Sequence, residues 1–201
     1  MNTLALVGLR GAGKSTTARE LGRRLGWWFV DLDREVARIA RRRGVRVPDG
    51  AGGERSPRAG DVLAALGEAP FRALEAQALE AALEGRGPRV IATGGGIVEL
   101  AATRERLRAA ATVVWLNPCA EILARRVAAS AELRPPLLPG RRDRPRGDMD
   151  RALVEARLVG VRRRALYAEV ATRRVDVDSP AVTPAQIAER ILTELGLAPG
   201  P

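Results

Sequence analysis

Residues 5–16 read ALVGLRGAGKST, and this stretch constrains the fold more than any other part of the chain. An apolar run fit to end a buried strand passes into Gly8-Leu9-Arg10-Gly11-Ala12-Gly13-Lys14-Ser15, the pattern Gly-x-x-x-x-Gly-Lys-Ser that joins a strand to a helix. Glycines let the chain curl until successive backbone N–H groups converge, and the helix start adds partial positive charge. Lys14 can then reach outer phosphates, and Ser15 can offer an oxygen to a divalent cation. Such a cradle works only when a strand and a helix fix its two ends, so it implies an α/β unit.

Lys14 is the only lysine among 34 Lys and Arg residues. Drift from lysine to arginine is tolerable on a surface, but a planar guanidinium cannot replace a compact ammonium threaded among phosphates. The single survivor stands where geometry demands it. The remaining arginines are spread along an Ala- and Gly-rich chain, so the net charge of +10 reads as coding bias rather than as a nucleic-acid footprint. No helix-turn-helix, zinc pattern or series of stacking aromatics accompanies it.

Other residue counts exclude whole classes of chemistry. With no histidine, a Ser-His or Cys-His nucleophile and a His-ligated metal are ruled out. Cys119 is the only cysteine, so no internal disulfide can form. No apolar run approaches the 18 or so residues of a membrane span, and the first residues already belong to the motif strand, leaving no room for a leader. A cytoplasmic protein of one domain is expected.

Short β-rich runs at 3–9, 27–33, 88–96, 112–117 and 173–178 alternate with amphipathic stretches at 14–25, 34–43, 71–85, 99–109, 118–130, 148–170 and 184–195. This alternation predicts a parallel sheet covered on both faces. Two Gly-, Pro- and Arg-rich segments, 44–60 and 134–147, interrupt it and read as flexible loops.

Three further motifs follow the first. Asp31-Leu32-Asp33 closes the second strand run, where alternation sends both carboxylates to one face at the ligand-binding end; one could serve a metal and the other a substrate. The alternative is a helix N-cap followed by a solvated acid. In Gly67-Glu68-Ala69-Pro70-Phe71-Arg72-Ala73-Leu74-Glu75, helical spacing puts Arg72 and Glu75 on one side, an arrangement an intrahelical ion pair would also explain. Thr93-Gly94-Gly95-Gly96 follows an apolar strand, and three glycines would let a ligand approach the backbone and take its N–H groups; a plain turn is the alternative.

In this order, GLRGAGKST, DLD, GE-x-x-FR-x-x-E and TGGG, followed by RPPLL, RRALY and ATRRVDVDSP, the chain resembles the shikimate kinase family of P-loop small-molecule kinases over nearly its whole length. The resemblance implies a P-loop NTPase-type three-layer sandwich with a five-stranded parallel sheet, and a single domain over 1–197 with a tail at 198–201. It places a substrate region at about 34–85, carrying 44–60 as an insertion, and a mobile lid at about 126–147. It implies transfer of the γ-phosphate of ATP, with Mg²⁺, to the 3-hydroxyl of shikimate.

The implied roles fall on residues that match the motifs. Gly11, Ala12, Gly13, Lys14, Ser15 and Thr16 would hold phosphates, Arg126 and Pro180 would flank the base, and Ser15 and Asp31 would serve Mg²⁺. Asp33 would orient or deprotonate the attacking hydroxyl. Arg72 and Arg163 would clamp the substrate carboxylate beside Gly94, Gly95 and Gly96, with Arg162 and Arg164 as alternatives to Arg163. Arg134 would close on the transferring phosphate. A monomer is implied, with no nucleic-acid or membrane partner. A gluconate kinase-like enzyme with another acceptor, or a ligand-binding module without catalysis, are the alternatives, because the insertions fall on the substrate and lid side.

Lys14→Arg is expected to keep the charge and lose two or more orders of magnitude in kcat, roughly the loss typical of a transition-state contact. Steady-state turnover checks this, and a variant as fast as wild type would refute the geometric reading of the lone lysine.

Overall fold

The computed structural model describes residues 2–48, 53–130, 149–177, 179–198 and 200. Its central sheet is built from β1 (Thr3–Val7), β2 (Trp28–Asp31), β5 (Arg89–Ala92), β6 (Thr112–Pro118) and β7 (Arg173–Val177). The strand order is β2-β5-β1-β6-β7, and every neighbouring pair is parallel. A separate two-residue antiparallel ladder joins β3 (Val47–Pro48) to β4 (Glu54–Arg55).

Apolar side chains alternate between two cores, which is why these strands read as continuous hydrophobic runs. Ala5, Val7, Ile91, Val113 and Trp115 point into one core, whereas Leu4, Leu6, Val90, Val114 and Leu116 point into the other. The first core is closed by α2 (Leu32–Arg42), α4 (Glu68–Glu84), α5 (Ala101–Ala110) and α7 (Met149–Val170), through Val36, Leu74, Leu107 and Tyr167 among others. The second is closed by α1 (Lys14–Leu25), α6 (Ala120–Ala128) and α8 (Pro184–Leu195), through Leu21, Leu123 and Ile191. Two helical layers thus enclose a five-stranded sheet, as the strand-helix alternation and the resemblance imply.

Three of the differences from the sequence reading have a clear local reason. The second strand ends at Asp31 rather than continuing through Asp33: the Asp31 carboxylate accepts the Asp33 N–H at 3.1 Å and caps α2, which begins at Leu32. Strand alternation therefore does not relate the two acids. Segment 44–60 is not a featureless loop in its described parts, since it contains the β3–β4 ladder and the start of α3 (Ala59–Leu66), a helix the periodicity did not reveal. The fourth helix starts at Glu68, earlier than 71, because Gly67, at a positive φ of 79°, separates it from α3. The segment 134–147, read as a lid, lies outside the described residues.

The central position of β1 is what places the loop after it in the crevice at the carboxyl ends of the strands. Gly8 turns the chain there with φ 141°, and Gly11 and Gly13 follow at 83° and 91°. A Cβ on Gly8 would run into the carbonyl oxygen of Leu116 on β6, so backbone conformation and space both demand glycine. Gly8→Ala is expected to lower the unfolding free energy by roughly 2–4 kcal/mol. A urea melt reads this as a lower midpoint at unchanged slope, and an unshifted midpoint would contradict it.

Candidate active site

Two cavities flank the loop that opens α1. The larger, about 860 Å³, is reached by Ser15, Asp31, Asp33, Arg72, Glu75 and Arg163, with Gly94–Gly96 forming part of its wall. The smaller, about 360 Å³, is lined by Gly13, Thr16, Thr17, Arg126, Pro180 and Thr183. Residues that lie more than 140 positions apart in the sequence are thus gathered around one phosphate-sized turn.

Lys14 lies almost wholly buried between them. Its Nζ donates to the carbonyl oxygens of Gly8 at 2.8 Å and Leu9 at 3.0 Å, so the ammonium is held at the mouth of the loop. Arg126 reaches from α6, donating weakly from Nη1 to Gly11 and Ala12 carbonyls at 3.4 Å, and burial lowers its pKa. Its guanidinium and Pro180 share the smaller cavity, where the resemblance puts a base. The Thr17 hydroxyl in the same wall is buried without a hydrogen-bond partner.

The acceptor side is built by the three glycines. None of Gly94, Gly95 or Gly96 has a positive φ, so backbone conformation does not require them; at Gly94 and Gly96 proximity does. A Cβ on Gly94 would collide with Glu75 Oε1 and lie 3.3 Å from Asp33 Oδ1, one on Gly96 would overlap the Arg72 guanidinium, and one on Gly95 would stand 3.8 Å from Arg163 Nη1. The missing side chains are space into which four charged groups project. The sequence reading gave that space to an approaching ligand, with a plain turn as the alternative.

Arg72 and Glu75 pair at 2.5 Å inside this wall, and Glu68 adds a longer contact at 3.2 Å to the same guanidinium. Only 3 % of the Glu75 side chain is exposed. Burial pushes its carboxyl up from the ordinary range, Arg72 pulls it back in part, and the charge on Asp33 adds to the rise. Arg72 Nε is buried with no partner. The guanidinium lines the larger cavity, where it presents a cation to a carboxylate.

The three adjacent arginines differ in burial. Arg162 and Arg164 are exposed, whereas Arg163 is buried and lines the large cavity. Its Nε donates to Glu99 at 2.6 Å and its Nη1 to the Gly95 carbonyl at 3.2 Å. Burial alone would raise the Glu99 carboxyl, but Arg163 outweighs it and holds the group below its usual range. Tyr167, one helical turn on, donates to the same Gly95 carbonyl at 2.6 Å and stacks on Trp115 with centroids 5.7 Å apart. Burial pushes its phenol pKa up, so it remains a donor.

Tyr167, Glu99 and Glu75 were not picked out as site residues from the sequence. Tyr167 served only as a spacing mark for Arg163, and Glu75 read as an ordinary i,i+3 partner. The helical pattern held the signal for Glu75; nothing local marked Glu99. Arg134 lies outside the described residues. Among the described residues no three His, Cys, Asp or Glu side chains gather to hold a metal, and a cation retained chiefly by phosphates and water needs fewer: Ser15 and Asp31 share one cavity, a donor set suited to Mg²⁺.

Residues 10–50 and 53–196 match the family model described as shikimate kinase. The shikimate kinase of Nitrobacter winogradskyi is 42% identical over 130 residues, 65% of this chain and 53% of that protein, so the chain spans about half the length of that relative. The shikimate kinase of Paramagnetospirillum magneticum is 37% identical over 196 residues, 97% of this chain and 87% of that one. A solved shikimate kinase from Acinetobacter baumannii, in complex with shikimate, superposes with a TM-score of 0.76 at 27% identity, covering 97% of this chain and 93% of its own. With a family match spanning both cavities and the loop between them, the chain belongs to the shikimate kinase family.

Proposed function

We propose that the chain transfers the γ-phosphoryl group of ATP to the 3-hydroxyl of shikimate. The observation that carries this is the buried Arg72, lining the same cavity as Asp33, Arg163 and the phosphate-loop residue Ser15. A carboxylate held by Arg72 and Arg163 would leave the acceptor's hydroxyls toward Asp33, on the side from which Ser15 projects.

In this reading the N–H groups of Gly11–Thr16 and the Lys14 ammonium hold the β- and γ-phosphates, with phosphate oxygens replacing the Gly8 and Leu9 carbonyls as partners of Nζ. Arg126 and Pro180 enclose the base. Ser15, and Asp31 directly or through water, would hold Mg²⁺, which would supply charge neutralisation at the phosphates. Asp33 accepts the hydroxyl proton or orients the oxygen for in-line attack. Phosphoryl transfer through a loose transition state relies on alignment and cationic stabilisation more than on a strong base, which suits a site without histidine. The same reading makes the protein a cytoplasmic monomer in the synthesis of aromatic amino acids. Among the described residues no helix is long and apolar enough to cross a membrane.

An ADP-release assay tests the activity: turnover dependent on ATP, Mg²⁺ and shikimate is expected. Turnover with gluconate or another polyol acid but not with shikimate would overturn the acceptor, and ATP binding without turnover on any acceptor would leave a ligand-binding module. Gly96→Ala drives a methyl group into the Arg72 guanidinium, so it is expected to raise the KM for shikimate by about tenfold or more while the KM for ATP stays within about twofold. Equal changes in both constants would show that Gly96 does not act through the carboxylate clamp.

A further inference from the structure

The segment between α2 and α3 ends in an ion pair that brackets part of the larger cavity. Arg55 Nη1 and Nη2 donate to Asp61 Oδ2 and Oδ1 at 2.7 and 2.8 Å, the parallel two-point geometry that fixes orientation as well as distance. The two residues are six positions apart, and the four residues Pro57, Arg58, Ala59 and Gly60 lying between Ser56 and Asp61 all line the large cavity. Asp61 Oδ2 also accepts the Arg58 N–H at 2.8 Å, which caps α3. Arg55 in turn is anchored by β-pairing with Val47, and Arg46 contacts Glu54 at 3.4 Å across the same ladder. The Arg55 guanidinium beside Asp61 holds that carboxyl below its ordinary range.

We infer that Arg55 is a positioning residue for the acceptor: its clamp on Asp61 fixes the Pro57–Gly60 wall against which the substrate is seated, without touching substrate itself. This rests on the proposed function for the identity of the acceptor, not for the existence of the clamp. A capping carboxylate alone would satisfy α3; the second bond set, to a residue on the far side of the lining stretch, holds the whole stretch at both ends. The nucleotide cavity shares no residue with it, so the effect is confined to one substrate.

Full-length wild type, R55A and R55K can be compared by steady-state kinetics and by amide hydrogen exchange. R55A is expected to raise the KM for shikimate about fivefold, the upper end for a partly exposed pair, with the KM for ATP within about twofold and faster exchange at the Arg58 and Val62 amides. R55K, which keeps charge but lacks the fork, should fall between. An unchanged KM for shikimate, or a parallel rise for ATP, overturns the positioning role. Should wild type fail to turn over shikimate, the proposed function falls, and exchange decides the clamp alone: unaltered exchange in R55A refutes it and faster exchange confined to 58–62 upholds it.

Discussion

The larger cavity of this protein depends on the absence of two methyl groups. Gly94 and Gly96 follow β5 at the carboxyl edge of the sheet, and their bare Cα atoms allow Glu75, Asp33 and Arg72 to lie directly against the backbone. Any side chain there would push the charged groups into the cavity and away from each other. The position of the strand end is fixed by burial of Val90, Ile91 and Ala92 in both cores, so the glycines cannot retreat. The Gly95 carbonyl is held in turn by Tyr167 and Arg163, which ties α7 to the same turn. One short stretch thereby sets the relative placement of α2, α4 and α7, the three helices that bring polar side chains to the cavity.

Placing charges this way is expensive for the free protein. Desolvating Arg72 and Glu75 costs several kcal/mol per ion, which their mutual attraction offsets only when geometry is good and remaining polar atoms are satisfied. Here they are not all satisfied: Arg72 Nε has no partner, at a cost of about 1–3 kcal/mol. An apolar pair of similar size would stabilise the wall better. The arrangement makes sense if a bound carboxylate completes it, since the binding partner then recovers a penalty already present, and that differential favours the anionic acceptor over a neutral one. The raised Glu75 carboxyl points the same way: its environment is dry enough that charge is costly, hence dry enough that an added anion near Arg72 interacts strongly.

Much of this was legible from residue order. The five central strands, their helices and the phosphate loop followed from hydrophobic runs and from one glycine-lysine-serine pattern, because a parallel sheet buried on both faces leaves a continuous apolar signature. The smaller cavity joins Arg126 to Pro180, and the larger joins Asp33, Arg72, Gly94–Gly96 and Arg163, as the motif order implies. What failed was local. Asp31-Leu32-Asp33 looked like a strand end, yet an aspartate side chain that caps the following helix wins over β-alternation at a strand terminus. The first turn of α3 was hidden in a Gly- and Pro-rich stretch, since its stability comes from Asp61 and Arg55 rather than from propensity. Glu99 and Tyr167 were invisible because their importance lies in partners 64 and 72 residues away.

The abundance of arginine separates by burial into two populations. Arg23, Arg38 and Arg190 sit on helix surfaces beside glutamates three or four residues away, with side chains 46–70% exposed. Such pairs contribute about 1 kcal/mol or less and are screened by salt. Arg72 and Arg163 expose 10% and 6% of their side chains and are held by carboxylates as well as by the cavity wall. The first population reflects composition: another cation or a polar residue would serve as well. The second cannot be exchanged, because a buried fork is matched to a specific anion in shape as well as in charge. Net charge therefore says little about what this protein binds, and the buried Arg72 and Arg163 that line the larger cavity say more.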